Sequence, residues 1–322
     1  MKIAVLGAGG CFAQNFVRYL ADQGIESFGI GRTGPKAPPF WNVPKDFRFW
    51  QLHLVTQLPE TMRVLDELRP EIVVQFAAQG EGAASFGDNA PDYFQTNCTA
   101  LVRLVLELSK RTYLRRFIQI GSSEVYGSPT VPAKETDLLN PTSPYSVSKA
   151  AFDLYLESMW RTARFPMNII RPSNCYTEGQ QLYRIIPKTI IHALKKEKIP
   201  LHGGGMAMKS YLNATDLSNA ILRVIQKAPF GTIYNVGPPM PIAIRGLVAL
   251  IGKLMGIAWS DLVEETEDRV GQDAKYHLNC DAIRELGWND DIKLWQGLHG
   301  MLNWVQTYPE LLTMTTTYQH RP

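Results

Sequence analysis

The chain has 322 residues, 45% of them hydrophobic and 20% charged, with a formal net charge of +3, the balance of a soluble protein able to bury one or two cores. Scattered basic residues argue against a nucleic-acid partner, and no apolar run approaches the ~20 residues that cross a bilayer. Four well-separated cysteines and six histidines without ligand spacing predict no metal and reduced thiols in a cytoplasmic setting, with no signal peptide at the start.

In chain order, Ile3-Ala4-Val5-Leu6 reads as a buried parallel strand ending at Gly7. The run Gly7-Ala8-Gly9-Gly10-Cys11-Phe12-Ala13 then leads into a helix over Asn15–Gln23. Such a turn lets backbone approach a diphosphate at a positive helix end. Gly7, Gly10 and Ala13 fit a Gly-x-x-Gly-x-x-Ala variant better than the six-residue dinucleotide fingerprint. Further strands are predicted at Glu26–Ile30, Phe47–Leu52, Ile72–Phe76, Arg116–Ile120 and Asn168–Arg171. Helices are predicted at Pro59–Arg69, Pro91–Lys110, Ser146–Ala163 and Ile185–Lys196. The alternation predicts an α/β fold, a Rossmann-like doubly wound parallel sheet covered by helices on both faces. Residues 33–46 read as a Pro- and aromatic-rich loop, His202-Gly203-Gly204-Gly205 as a turn, and Leu311–Pro322 as a polar, frayed end.

The chemistry is concentrated in Tyr145-Ser146-Val147-Ser148-Lys149 and, upstream, Gly121-Ser122-Ser123-Glu124-Val125-Tyr126-Gly127. Tyr145 and Lys149, four apart, share a helix face. A nearby ammonium favours the phenolate, so the tyrosine can serve as a base. Ser122 is placed to hold a hydroxyl and Glu124 to remove a carbon-bound proton. Each segment alone arises by chance; together, downstream of the glycine turn, they point to redox chemistry on a carbohydrate.

These segments resemble the extended short-chain dehydrogenase/reductases that act on nucleotide sugars. The resemblance continues through Phe76-Ala77-Ala78-Gln79, Pro91-x-x-Phe94-x-x-x-Asn97, Arg171-Pro172-Ser173-Asn174-Cys175-Tyr176, Tyr211–Leu217, Tyr234-Asn235-Val236-Gly237, Arg269–Tyr276 and Glu285-Leu286-Gly287-Trp288. It implies a dinucleotide-binding domain from residues 1–174 plus 211–237 and a smaller substrate-binding portion from 175–210 plus 238–322. The implied catalytic residues are Ser122, Ser123, Glu124, Tyr145 and Lys149. Cofactor binding is implied for Gly7, Gly10, Cys11, Phe12, Arg32, Ala77, Ala78, Gln79, Asn97, Tyr145, Lys149 and Arg171. A nucleotide-diphosphate sugar would meet Ser85, Ser122, Asn174, Lys188, Lys209, Tyr211 and Arg269.

The resemblance also implies a route through a transient 4-keto sugar. Ser-x-Glu matches the 4,6-dehydratases and the UDP-glucuronate decarboxylases, whereas simple 4-epimerases lack the acid. The Gln79–Phe86 frame is similar to GDP-mannose 4,6-dehydratases, and the Arg269–Tyr276 run to dTDP-glucose 4,6-dehydratases. Dehydration is therefore favoured, with epimerase, decarboxylase and 4-keto-sugar reductase as alternatives. Departures include Ser123 where the dTDP-glucose enzymes have Asp, Glu81 where a His is usual, and Lys209 where an Arg often clamps the diphosphate. At the end of the second strand Arg32 stands in place of the acid that selects NAD, so NADP is expected over NAD. The resemblance implies a homodimer in which the helices at Pro91–Lys110 and Ser146–Ala163 pair; their apolar stripes, Leu101, Leu104, Val105 and Leu108 on the first and Phe152, Leu156 and Met159 on the second, serve either that contact or, more commonly, the chain's own core.

Overall fold

The structure is a computed structural model that describes residues 1–34, 39–267 and 275–320. In chain order its elements are β1 (Lys2–Leu6), α1 (Cys11–Asp22), β2 (Glu26–Gly31), β3 (Phe49–Gln51), α2 (Leu58–Leu68), β4 (Ile72–Gln75), α3 (Ala90–Phe94), α4 (Ala100–Leu108), β5 (Arg116–Ile120), α5 (Pro144–Ala163) and β6 (Met167–Pro172). They continue as β7 (Asn174–Tyr176), α6 (Ile185–Leu194), β8 (Ile199–His202), β9 (Met208–Lys209), β10 (Tyr211–Asn213), α7 (Ala214–Lys227) and β11 (Ile233–Val236). The last are β12 (Ile242–Ala243), α8 (Ile244–Met255), α9 (Trp259–Leu262), β13 (Val263–Thr266), α10 (Asp281–Glu285) and α11 (Leu294–Thr307).

Seven strands form one parallel sheet in the order β11-β6-β5-β4-β1-β2-β3. The order reverses across β1 and β4, which opens a crevice at their carboxyl ends where ligands bind in such sheets. One face is sealed by α1 and α7, with Phe16, Val17, Leu20, Ile221 and Val224 buried against Ile3, Val5 and Val74. The other is sealed by α2, α4 and α5, with Leu65, Leu101, Leu104, Val105, Phe152 and Leu156. A separate core of Tyr176, Ile186, Ile190, Leu247, Leu298 and Met301 joins α6, α8 and α11. Strands with both faces covered must be apolar throughout, which is why β1 and β4 read as continuous apolar runs.

Three expectations are corrected. The helix predicted over Pro91–Lys110 is broken by a π-helical stretch, Gln95–Thr99, between α3 and α4. Next, α1 begins at Cys11 rather than Asn15, so the helix N-terminus directly follows Gly10. The stretch expected to fray from Leu311 is ordered as far as it is described: Leu311 is fully buried in the 3-10 turn Pro309–Thr313, and Thr316, Tyr318 and His320 contact the rest of the chain, while 321–322 lie outside the described residues. The stripe residues Leu101, Leu104, Val105, Leu108, Phe152 and Leu156 are buried in this chain's own core, so they leave nothing for a partner. Residues left exposed on the same helices include Leu106, Val147 and Leu154.

Candidate active site

The turn after β1 is built for close backbone approach. Gly7 has φ of 78°, and a Cβ there would run into the Ala77 backbone; one at Gly9 would strike the Thr33 carbonyl. Gly10 caps α1 without a side-chain hydrogen bond, and the first turn carries no acid. The free N–H groups and positive end of a twelve-residue helix therefore face the crevice. That chemistry fits the diphosphate of a nicotinamide dinucleotide. Cys11 opens the helix, its thiol pushed up to about 12 by burial, so it contributes packing, as does the half-buried Phe12. At the end of β2, Arg32 lies close enough to His53 that, after burial, its charge helps lower the imidazole's pKa.

Tyr145 is the second residue of α5, held by a capping box in which Ser143 and Ser146 exchange hydrogen bonds, with Pro144 preset for the first turn. Lys149 follows one turn on, 2% exposed, and donates from Nζ to the Ile120 carbonyl at 2.7 Å. Burial lowers its ammonium to about 8, while Asp153 pulls in the opposite sense. From the end of β5, Ser122 caps the short 3-10 turn Ser123–Tyr126 by accepting from Glu124 N at 3.2 Å. Its hydroxyl also hydrogen-bonds the Tyr145 phenol. Burial raises the Tyr145 pKa and the Glu124 carboxylate raises it further, whereas Ser122 and the Arg184 charge lower it. Ser123 is buried at the base of the turn. Glu124 thus shares a pocket with Tyr145 and Ser122: its Oε2 lies 3.0 Å from where a Cβ on Gly82 would sit, and Tyr145 Cδ1 lies 3.9 Å from that point.

Arg184, which nothing in the sequence singled out, completes this cluster. It precedes α6, pairs with Glu81 at 3.2 Å and remains 41% exposed at the side chain. Burial opposes its charge, yet Glu81, Tyr183, Tyr145 and Glu124 together hold its pKa above the ordinary value. It therefore brings a fixed cation to the two acids and the tyrosine.

Three residues expected to bind ligands make buried hydrogen bonds within the protein. Asn97 is fully buried in the π turn; Oδ1 accepts from Gln79 N at 2.7 Å, and Nδ2 donates to Gln79 O and Ser148 Oγ, both at 3.0 Å. It clamps the Gln79 segment to α5. Ser85, also fully buried, donates to Gly82 O at 2.6 Å and accepts from Tyr145 N at 3.1 Å. Both bonds lie within the protein and tie the Gly82 turn to the start of α5. Arg171, 1% exposed, donates to Asp153 Oδ2 at 2.9 Å and Tyr126 Oη at 2.8 Å. It ties the turn bearing Glu124 to the helix bearing Lys149.

The remaining residues line the crevice. Ala77 N is held by Gln75 Oε1 at 2.5 Å, Ala78 is exposed at the strand end, and Gln79 is buried over Asn97. At the opposite wall, β7 pairs with β10, setting Asn174 against Tyr211. Asn174 Oδ1, Ser173 Oγ and Ser210 Oγ are buried yet make no hydrogen bond among the described residues. Three such atoms at strand ends, beside Lys209, suit the polar groups of a bound ligand. Lys209 Nζ sits 4.8 Å above the Tyr276 ring, and Lys188 is half-buried on α6. Arg269 lies outside the described residues. No helix among the described residues is long and apolar enough to cross a membrane.

The switch-point crevice, the uncapped glycine turn and the Ser122–Tyr145–Lys149 site define a Rossmann-type dinucleotide-binding protein of the extended short-chain dehydrogenase/reductase class. A family model described as the NAD dependent epimerase/dehydratase family matches residues 3–237, and the chain belongs to that family. It is 30% identical over 258 residues to human dTDP-D-glucose 4,6-dehydratase, covering 78% of this chain and 71% of that protein. An Arabidopsis thaliana trifunctional UDP-glucose 4,6-dehydratase/3,5-epimerase/reductase is 30% identical over 245 residues, 74% of this chain and 37% of its own length; the chain matches little over a third of that relative. Among solved structures, dTDP-glucose 4,6-dehydratase from Bacillus anthracis in complex with NAD superposes with a TM-score of 0.86 at 26% identity, covering 96% of this chain and 98% of that one.

Proposed function

We propose that this protein is a nucleotide-sugar 4,6-dehydratase that recycles one bound nicotinamide dinucleotide. The observation that carries the reading is the Glu124 carboxylate in the same pocket as Tyr145 and Ser122. Tyr145 takes the proton of the sugar C4 hydroxyl, and Ser122 orients that hydroxyl and the phenol together. Lys149 and Arg184 favour the phenolate that burial and Glu124 oppose. A bound dinucleotide would supply the hydride acceptor and donor that oxidation at C4 and reduction at C6 need. Once C4 is a ketone, the C5 proton is acidic and Glu124 removes it. With Ser123 in place of an acid, the proton that leaves with the C6 hydroxyl comes from Glu124 itself or a water. Buried Ser173, Asn174 and Ser210, with Lys209, would hold the nucleotide diphosphate.

Support for NAD comes from the solved relative; Arg32 favours a 2′-phosphate and hence NADP, and titrating each against the protein separates the two. We place the protein in a reducing, cytoplasmic setting on its free thiols. We further assign it a homodimer whose contact includes the exposed Leu106 and Leu154; Leu106→Glu should then halve the mass in sedimentation.

The deciding experiment is incubation with UDP-, GDP- and dTDP-hexoses in deuterated water. A product lighter by one water and deuterated at C5 supports the dehydratase. An unchanged mass with inverted C4 refutes it in favour of a 4-epimerase, which has no need of Glu124.

A further inference from the structure

Residues 315–320 return from the substrate-binding portion to the sugar end of the site. Thr316 Oγ1 lies 3.1 Å from His192 Nε2 on α6, and the Tyr318 ring packs edge-on against Tyr183 at 5.1 Å. On the other side of the crevice, His320 Nε2 lies 2.8 Å from Asp92 Oδ2 and Nδ1 lies 3.4 Å from Gln79 Nε2. The His320 ring stacks on Tyr93 at 6.0 Å. Tyr318 Oη lies 3.4 Å from Tyr93 Oη and 3.3 Å from His320 Nδ1. One short segment therefore joins both walls of the crevice.

Its main support, Tyr93, touches the chemistry. Tyr93 is fully buried, its hydroxyl is 3.0 Å from both the Gly80 and Glu81 carbonyls, and its ring meets Tyr145 edge to face at 6.3 Å. Glu81 has φ of 80°, left-handed backbone that a non-glycine residue keeps only when its surroundings impose it. The strained turn leads into Gly82, which abuts Glu124. Strain at this place thus depends on Tyr93 from within and on Arg184, which holds the Glu81 carboxylate.

We propose that Tyr318 and His320 are positioning residues of the sugar subsite: by seating Tyr93 they hold the Gly80–Glu81 turn against Tyr145 and Glu124 and keep the 4-keto intermediate in place. This rests on the dehydratase reading for the intermediate, but not for the turn. During the waiting period the substrate has lost a proton to Tyr145 and a hydride to the dinucleotide. An intermediate that escapes leaves the dinucleotide reduced and the protein unable to begin another cycle.

The test compares the full chain with His320→Ala, Tyr318→Phe and a chain ending at Met314, using His320→Gln as the conservative variant. Without sugar, amide hydrogen exchange over Gly80–Ser85 should accelerate in His320→Ala and in the shortened chain, with β4 and β5 unchanged. With NAD and dTDP-glucose, losing these contacts should raise KM about tenfold. The protein should also retain 340 nm absorbance after turnover, and His320→Gln should restore much of both. Exchange and KM within twofold of the full chain would overturn the proposal, as would a lowered melting temperature with KM and retained absorbance unchanged. Failure of the full chain to convert any nucleotide hexose would instead refute the dehydratase reading. The exchange comparison would still decide the role of the segment.

Discussion

Gly82→Ala separates the two chemical steps. Gly82 opens the 3-10 turn Gly82–Ser85 with negative φ, so alanine suits its backbone. The added methyl would lie 3.0 Å from Glu124 Oε2, 3.5 Å from Ser143 Oγ and 3.9 Å from Tyr145 Cδ1. The last two are ordinary contacts; the first is short of the 3.4 Å at which ordinary contact begins, so the carboxylate must retreat by about 0.4 Å. A 1 Å misplacement costs on the order of 10²-fold, so this displacement should slow proton removal about five- to tenfold. Removing the C4 proton and hydride should be unaffected, since Tyr145 is not displaced.

Rapid mixing with saturating nucleotide sugar reads both steps, with the 340 nm burst reporting oxidation at C4 and deuterium incorporation at C5 reporting Glu124. Gly82→Ala should keep the burst rate, slow incorporation and hold more reduced dinucleotide at steady state. Glu124→Gln, which also removes the charge that raises the Tyr145 pKa, should leave the burst no slower and lose about 10²–10⁴-fold in incorporation. Equal slowing of both steps in Gly82→Ala, or no slowing at all, would refute Glu124 as the C5 base.

Three further outcomes follow from buried charges. Lys149 titrates at about 8 and supports the phenolate only when protonated, while burial holds the Tyr145 phenol above its ordinary pKa; kcat should therefore rise with pH below about 8 and level off above it, and a rate that keeps rising tenfold per unit from pH 8 to 10 would exclude this role for Lys149. Arg171→Met leaves Asp153, fully buried, without its partner and should cost about 3–5 kcal/mol in urea unfolding. Adding Asp153→Asn should recover much of that, and strict additivity of the two would deny the pairing. Burial raises Asp216 from 3.8 to about 6. The folded state therefore binds a proton that the unfolded state releases between those values, and stability from this group falls as pH rises from about 4 to 6 by at most about 3 kcal/mol. Asp216→Asn, which keeps an acceptor for Ile292 N, should flatten that part of the melting-temperature profile; an unchanged slope would refute it.

Features carried by local spacing were legible in the sequence. The apolar runs of β1, β4 and β5, the glycine turn, and the Tyr145/Lys149 pair one helical turn apart each follow from a period or a turn requirement within a few residues. Chain-distant partnerships were not legible. Arg184 stands 60 residues or more from Glu124 and Glu81, and no local pattern marks it. Tyr318 and His320 look like a polar end until Tyr93 and Asp92 are placed beneath them.

Three of the expected ligand residues share a setting. Ser85, Asn97 and Arg171 stand in motifs that border a ligand site, and a motif cannot say whether a polar side chain faces the ligand or the protein behind it. A buried polar group must find partners in the folded chain unless a ligand supplies them. Asn97 and Arg171 find theirs within the protein, with buried acceptors and donors on Gln79, Ser148, Asp153 and Tyr126. Ser173, Asn174 and Ser210 are left with open polar atoms. Open capacity alone does not mark a ligand residue, since Asp153, whose Oδ2 holds Arg171, keeps an open Oδ1 as well. Arg171 aligns the turn bearing Glu124 with the helix bearing Lys149.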